Sequence, residues 1–79
     1  MLRARKGSRE YKGYRYRDAL VRNVQKGDRV SIGGKWVTVS AVKLNGASSK
    51  GPTYALTDHN GFTVSRLGIN PIKLALERV

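Results

Sequence analysis

Short stretches of alternating apolar and polar residues, separated by glycine, constrain the fold of this chain most. Val30 and Ile32 alternate with polar neighbours, and Gly33-Gly34 follows as a two-residue hairpin signal. Residues 35–44 are rich in β-branched side chains, which favour strands. Three further alternating stretches cover residues 54–57, 62–65 and 72–76. The sequence therefore predicts five short strands.

The connections between these strands are predicted from turn-forming residues. Val39 and Val42 are three positions apart, which breaks the alternation and predicts a bulge or sharp bend near Ser40-Ala41. Composition predicts a loop over residues 45–52 and turns over residues 58–61 and 68–71, with Gly61 at positive φ.

Five strands at this spacing predict an all-β fold that is a small barrel or sandwich. We expect a five-stranded barrel. Closing the barrel would remove the exposed edges that so short a sheet presents. The apolar positions of the alternation predict the core, which comprises Val30, Ile32, Val37, Val39, Val42, Leu56, Phe62, Val64, Ile72 and Leu74.

Residues 18–26, which precede the first predicted strand, allow two interpretations. They form one helical turn with Asp18 as its N-cap, or an irregular lead-in that places Leu20 or Val24 over the end of the barrel. The lead-in is preferred, because Gly27 ends the segment so soon.

The charge of the chain points to a polyanionic partner. Sixteen Lys and Arg against five Asp and Glu give a net charge of +11, and +7 of it lies within residues 1–26. Such an excess opposes compaction, and binding to DNA, RNA or an anionic membrane surface relieves it. The alternative is that the basic surface serves only solubility. A membrane-surface role is disfavoured, since residues 1–17 lack an amphipathic apolar face.

Residues 1–17 are predicted to be a flexible basic arm, disordered or partly ordered, attached to a barrel over residues 18–79. The arm has few apolar groups to bury, and its tyrosines alternate with cations. Guanidinium groups pair with phosphates, and tyrosine rings stack on bases. In the alternatives, the arm is a solvated tail whose tyrosines cover the barrel, Tyr11, Tyr14 and Tyr16 add a strand, or the arm binds a protein.

Trp36 is a second candidate for base stacking, beside Lys35. If Val37 and Val39 point inward, Trp36 points outward, although it is also able to pack under the arm. The predicted nucleic-acid-binding residues are Arg3, Arg5, Lys6, Arg9, Tyr11, Lys12, Tyr14, Arg15, Tyr16, Arg17, Lys35 and Trp36.

Catalysis is not predicted. The chain has no cysteine, its one histidine, His59, lies in a predicted turn, and its acids are scattered. No metal, cofactor or catalytic residue is expected. No apolar run approaches a membrane span, so the expected compartment is the cytoplasm.

Residues 24–30 (Val-Gln-Lys-Gly-Asp-Arg-Val), residues 33–39 and Val42 resemble small SH3-like barrels of the KOW type. They are also similar to short proteins of actinobacteria and their phages. The resemblance implies a barrel fold and RNA, transcription or ribosomal partners. We therefore expect a non-catalytic protein that binds DNA or RNA. The alternative is a phage-encoded or bacterial interaction module that uses the arm to bind an acidic surface on a host enzyme, transcription complex or virion component.

Overall fold

A computed structural model describes residues 9–79, which form an all-β domain, as predicted. A single 3-10 turn, Val21–Asn23, follows the second strand, and no helix of the described residues is long and apolar enough to cross a membrane. The strands are β1 (Arg9–Tyr11), β2 (Tyr14–Leu20), β3 (Arg29–Ile32), β4 (Lys35–Ser48), β5 (Gly51–Asp58), β6 (Thr63–Leu67) and β7 (Pro71–Arg78).

The seven strands form one antiparallel sheet in the order β1-β2-β7-β3-β4-β5-β6. The five predicted strands are present as β3 to β7, whereas β1 and β2 lie in the predicted arm, where an added strand was only an alternative. Because β1 and β6 are edges and the sheet is open, the predicted closed five-stranded barrel is not confirmed.

The long strand β4 bends the sheet over its own core. Its register against β5 shifts between Val39 and Ala41, which confirms the predicted bulge. The Ser40 hydroxyl lies 3.1 and 3.0 Å from the carbonyl oxygens of Thr57 and Asp58 and holds the bend. The first part of β4 pairs with β3 and the rest pairs with β5, so one strand contributes to both halves of the sheet.

The core lies between these halves, and its buried members are Val21, Val24, Val30, Val39, Leu56 and Ile72. Phe62 was predicted to be buried, but that prediction is wrong, since 72% of this residue is exposed. Its backbone N–H is held by the Asp58 carboxylate in the turn before β6, so Phe62 precedes the strand and lies at the surface. Both Gly33 (φ 61°) and Gly34 (φ 82°) adopt the positive φ of the predicted hairpin turn.

The prediction of a loop over residues 45–52 is wrong, because β4 and β5 remain paired up to a two-residue turn at residues 49–50. Gly46 adopts a φ of +108°, and the register shifts between Leu44 and Ala47. The Thr53 hydroxyl donates to the Asn45 carbonyl oxygen at 3.2 Å. Small polar residues, which resemble a loop in composition, here form an irregular hairpin.

The structure decides between the two interpretations of residues 18–26, the segment that precedes β3. Asp18 lies inside β2, and Leu20 is the residue before the 3-10 turn, so the alternative of a helical turn capped by Asp18 is not observed. Val24 covers the core, as the lead-in predicted. Backbone hydrogen bonds from Val21 to Asn70 (2.9 Å) and from Arg22 to Gly68 (3.0 Å) tie the 3-10 turn to the turn that follows β6.

Candidate nucleic-acid interface

Residues 9–17, predicted as part of an arm, are strands in this structure. Lys12 (φ 46°) and Gly13 (φ 87°) form the turn between β1 and β2, and two successive positive φ angles are typical of a type I′ hairpin. Strand β2 then pairs with β7 along its length. The expected boundary between residues 17 and 18 lies inside β2, and the alternative in which the tyrosines add a strand is the one observed.

Four aromatic rings contact one another on the outer face of this part of the sheet. The ring centroids of Tyr11, Tyr14 and Tyr16 lie 6.0, 5.4 and 6.4 Å from that of Trp36. The rings meet edge-on or tilted, an arrangement that aromatic quadrupoles favour. The indole N–H of Trp36 donates to the Tyr11 carbonyl oxygen at 2.8 Å. All four side chains are half-buried, so Trp36 packs against the tyrosine segment.

Four cations from three parts of the chain surround these rings. Lys73 lies 5.2 Å from the Tyr11 ring centroid and 5.5 Å from that of Tyr16. Arg29 and Arg78 lie 5.0 and 5.6 Å from the Tyr14 centroid. Lys12 lies 5.5 Å from the Tyr11 centroid. We call this surface the aromatic–cationic face; it consists of Tyr11, Lys12, Tyr14, Tyr16, Arg29, Trp36, Lys73 and Arg78.

Two carboxylates on β2 and β7 pair with cations outside the face. The ion pairs among residues 9–79 are Arg9–Asp18 at 3.0 Å and Arg15–Glu77, and neither involves a cation of the face. Hydrogen bonds with Tyr16 and Asp18 raise the pKa of the Arg9 guanidinium, which keeps it charged. Three of the 16 basic residues precede residue 9, so the described residues hold 13 against five acids, a net charge of +8.

The predicted site residues fall into three groups. The structure brings together Tyr11, Lys12, Tyr14, Tyr16 and Trp36. It does not bring Arg9, Arg15, Arg17 or Lys35 into the face. Arg9 and Arg15 form ion pairs, and Arg17 donates to the adjacent Asp18 carbonyl oxygen. Lys35 lines a groove beside Trp36 that also includes Phe62. Arg3, Arg5 and Lys6 lie outside the described residues.

Arg29, Lys73 and Arg78 were missed by the sequence argument. Arg29 and Lys73 occupy polar positions in the alternation of β3 and β7, which assigns them to the face opposite the core. Their proximity to the tyrosines depends on β2 pairing with β7, a long-range contact that no local pattern encodes.

No metal-binding cluster is found among residues 9–79. Among them no three His, Asp or Glu side chains come close enough to hold a metal ion. His59 is exposed in the turn after β5, where its backbone N–H donates to the Thr38 carbonyl oxygen at 3.1 Å. The aromatic–cationic face places cations beside aromatic rings, a combination that is able to contact anionic and π-bearing groups.

Comparison with known proteins gives no further assignment: no family model, curated protein or solved structure matches this chain.

Proposed function

We propose that this protein binds nucleic acid through its aromatic–cationic face and carries out no catalysis. The observation that carries the proposal is the placement of four cations around three tyrosines and the single tryptophan. The cations supply phosphate contacts, and the exposed parts of the rings supply surface for bases or sugars.

The cations suit phosphate binding because most of their hydrogen-bonding capacity is available to a ligand. Lys12 donates to the Gly34 carbonyl oxygen at 2.6 Å, and Arg29 donates to the Tyr14 hydroxyl. Each retains further N–H donors, since an ammonium carries three and a guanidinium carries five. Both side chains are exposed, as is that of Arg78. A phosphate at this surface would meet several donors without first breaking an ion pair.

The rigidity of the face supports the same proposal. The tyrosines lie on paired strands, and the Trp36 indole is fixed by its hydrogen bond to Tyr11. Binding to a preformed surface requires less ordering of the protein than binding to a disordered arm would. The rings thus hold the cations in place as well as offering contact area.

For the fold, we propose that β3 to β7 constitute an SH3-like unit to which the β1–β2 hairpin is added. The strand order β7-β3-β4-β5-β6, the bend at Ser40 and the common core of both halves support this proposal. The 3-10 turn bridges β2 to the end of β6 by its two backbone hydrogen bonds.

Trp36 provides a direct test, because it is the only tryptophan and lies at the centre of the face. Titration with DNA and RNA oligonucleotides, single-stranded and duplex, should change its fluorescence, and high salt should reverse the change. Dextran sulfate serves as a control polyanion that has charge but no bases. No binding to any oligonucleotide would refute the function. Binding detected by gel shift with unchanged Trp36 fluorescence would show that the ligand lies elsewhere.

A further inference from the structure

We propose that the outer part of the β4–β5 hairpin, residues 45–52, enters the major groove of duplex DNA. We call this segment the β4–β5 ribbon. The inference rests on the proposed function, since it assumes that the protein binds nucleic acid. It adds a second contact surface and selects duplex DNA as the ligand.

The ribbon extends beyond the rest of the sheet. Strand β6 pairs with β5 from Thr53 onward, so the ladder pairs of residues 45–52 join only β4 and β5. Two hydrogen bonds tie the base of the ribbon to the rest of the sheet: the Asn45 amide donates to the Ser65 hydroxyl at 2.9 Å, and the Gly68 N–H donates to the Pro52 carbonyl oxygen at 2.9 Å. Every residue from 43 to 50 is exposed. The ribbon is thus a projecting two-stranded element.

The dimensions and twist of the ribbon fit the groove. The major groove of B-DNA is about 12 Å wide and admits a two-stranded β-ribbon. Residues 46–49 and Gly51 are glycine, alanine or serine, so the distal ribbon is narrow. The register shift between Leu44 and Ala47, with Gly46 at φ +108°, is a bulge, and bulges increase the right-handed twist of a ribbon.

The chemistry of the ribbon also favours DNA. The sequence contains no Asp or Glu between residues 29 and 57, so no carboxylate of the ribbon opposes the phosphates. Lys43 and Arg66 flank the base of the ribbon, and Lys50 is at its turn. In the major groove, lysine donates to guanine O6 and N7, asparagine pairs with adenine, and alanine contacts the thymine methyl group. Lys50 and Ala47 provide the first and third of these groups, whereas the Asn45 amide donates to the Ser65 hydroxyl.

Duplex RNA is excluded by the same dimensions, because the A-form major groove is too deep and narrow for side chains to read. The ribbon therefore predicts discrimination between DNA and RNA duplexes, which phosphate contacts at the aromatic–cationic face would not supply.

Guanine N7 methylation by dimethyl sulfate tests the proposal on a DNA duplex of about 20 base pairs, two helical turns. The full chain should protect guanine N7 and bind this duplex at least about tenfold more tightly than RNA of the same sequence, the effect of one good base contact. Deleting residues 47–53 leaves Asn45-Gly46 as a hairpin turn between the paired Leu44 and Tyr54. The deletion should abolish the protection and the preference while retaining salt-sensitive binding.

If the deletion variant does not fold, the variant Lys50→Ala tests the same proposal. Lys26→Ala, which removes the same charge outside the ribbon, is its control. Lys50→Ala should lower affinity for the DNA duplex by about tenfold while Lys26→Ala has a smaller effect. Protection of adenine N3 in the minor groove, equal affinity for the RNA duplex, or equal effects of the two variants would overturn the ribbon proposal while leaving nucleic-acid binding intact. A full chain that binds no nucleic acid would refute the proposed function itself.

Discussion

Neutralising two cations of the aromatic–cationic face should change the salt dependence of nucleic-acid binding. We consider the double variant Arg29→Gln/Lys73→Gln, which removes one guanidinium and one ammonium from around the tyrosines. Each phosphate contact on duplex DNA contributes about −0.9 to the slope of log K against log salt concentration. Loss of both contacts should therefore reduce the steepness of that slope by about 1.8.

The magnitude follows from the count of contacts. The four cations of the face together should contribute a slope of about −3.6, which corresponds to an affinity loss of about 150-fold between roughly 50 and 200 mM salt. Two contacts over the same range contribute only about 12-fold. The loss of affinity between the two salt concentrations should thus be about 12 times smaller for the variant than for the unmodified protein.

The matched control is Arg22→Gln/Lys26→Gln, which removes the same two charge types from exposed positions outside the face. Fluorescence anisotropy of a labelled DNA duplex across a salt series measures both slopes. If the control changes the slope as much as the face variant, the charge acts without a defined site. An unchanged slope in the face variant would refute the assignment of these cations to phosphate contacts.

Folding of the variants must be measured alongside binding, because the cations also contact rings. Each exposed cation–π contact contributes about 0.5–1 kcal/mol, and 1 kcal/mol shifts the Tm of a domain of this size by about 4–8 °C. We expect the face variant to melt several degrees below the unmodified protein yet remain folded at the temperature of the titration.

Two further predictions test the packing. Leu56→Ala should lower the free energy of unfolding in urea by about 2–5 kcal/mol, because Leu56 is 1% exposed; Phe62→Ser, at a residue that is 72% exposed, should change it by less than about 0.5 kcal/mol. Equal losses would contradict the surface position of Phe62. Gly68→Ala should lower the free energy of unfolding by about 1–3 kcal/mol, because the added Cβ would lie 2.7 Å from the Tyr54 ring and 3.2 Å from the Arg22 Cβ. The same cost in a Tyr54→Leu background would show that the ring is not the obstacle.

The local patterns of the sequence were sufficient for five of the seven strands. Alternation and β-branched residues located β3 to β7, because a strand with one buried face carries a period of two wherever it lies in the sheet. The Gly33-Gly34 turn and the bulge near Ser40 were also predicted, because each depends on residues that are adjacent in sequence.

The errors have physical causes of two kinds. Residues 45–52 resemble a loop because they are small and polar, but their backbone groups pair across the hairpin, and that ladder does not depend on side-chain type. Phe62 is apolar and follows the alternation, yet the Asp58 carboxylate binds its backbone N–H and ends the turn there, so the ring stays at the surface.

The sequence by itself determined the all-β class, the strong positive charge and the interleaving of tyrosines with cations. Only the tertiary structure decided what that interleaving builds. Strand β2 pairs with β7, a contact between the two ends of the described chain, and this pairing brings Lys73 and Arg78 to the tyrosines. The pairing of β3 with both β7 and β4 brings Arg29 and Trp36 to the same face. Such long-range contacts form when the chain buries one common core, so they cannot be predicted from the residues that neighbour each tyrosine in sequence.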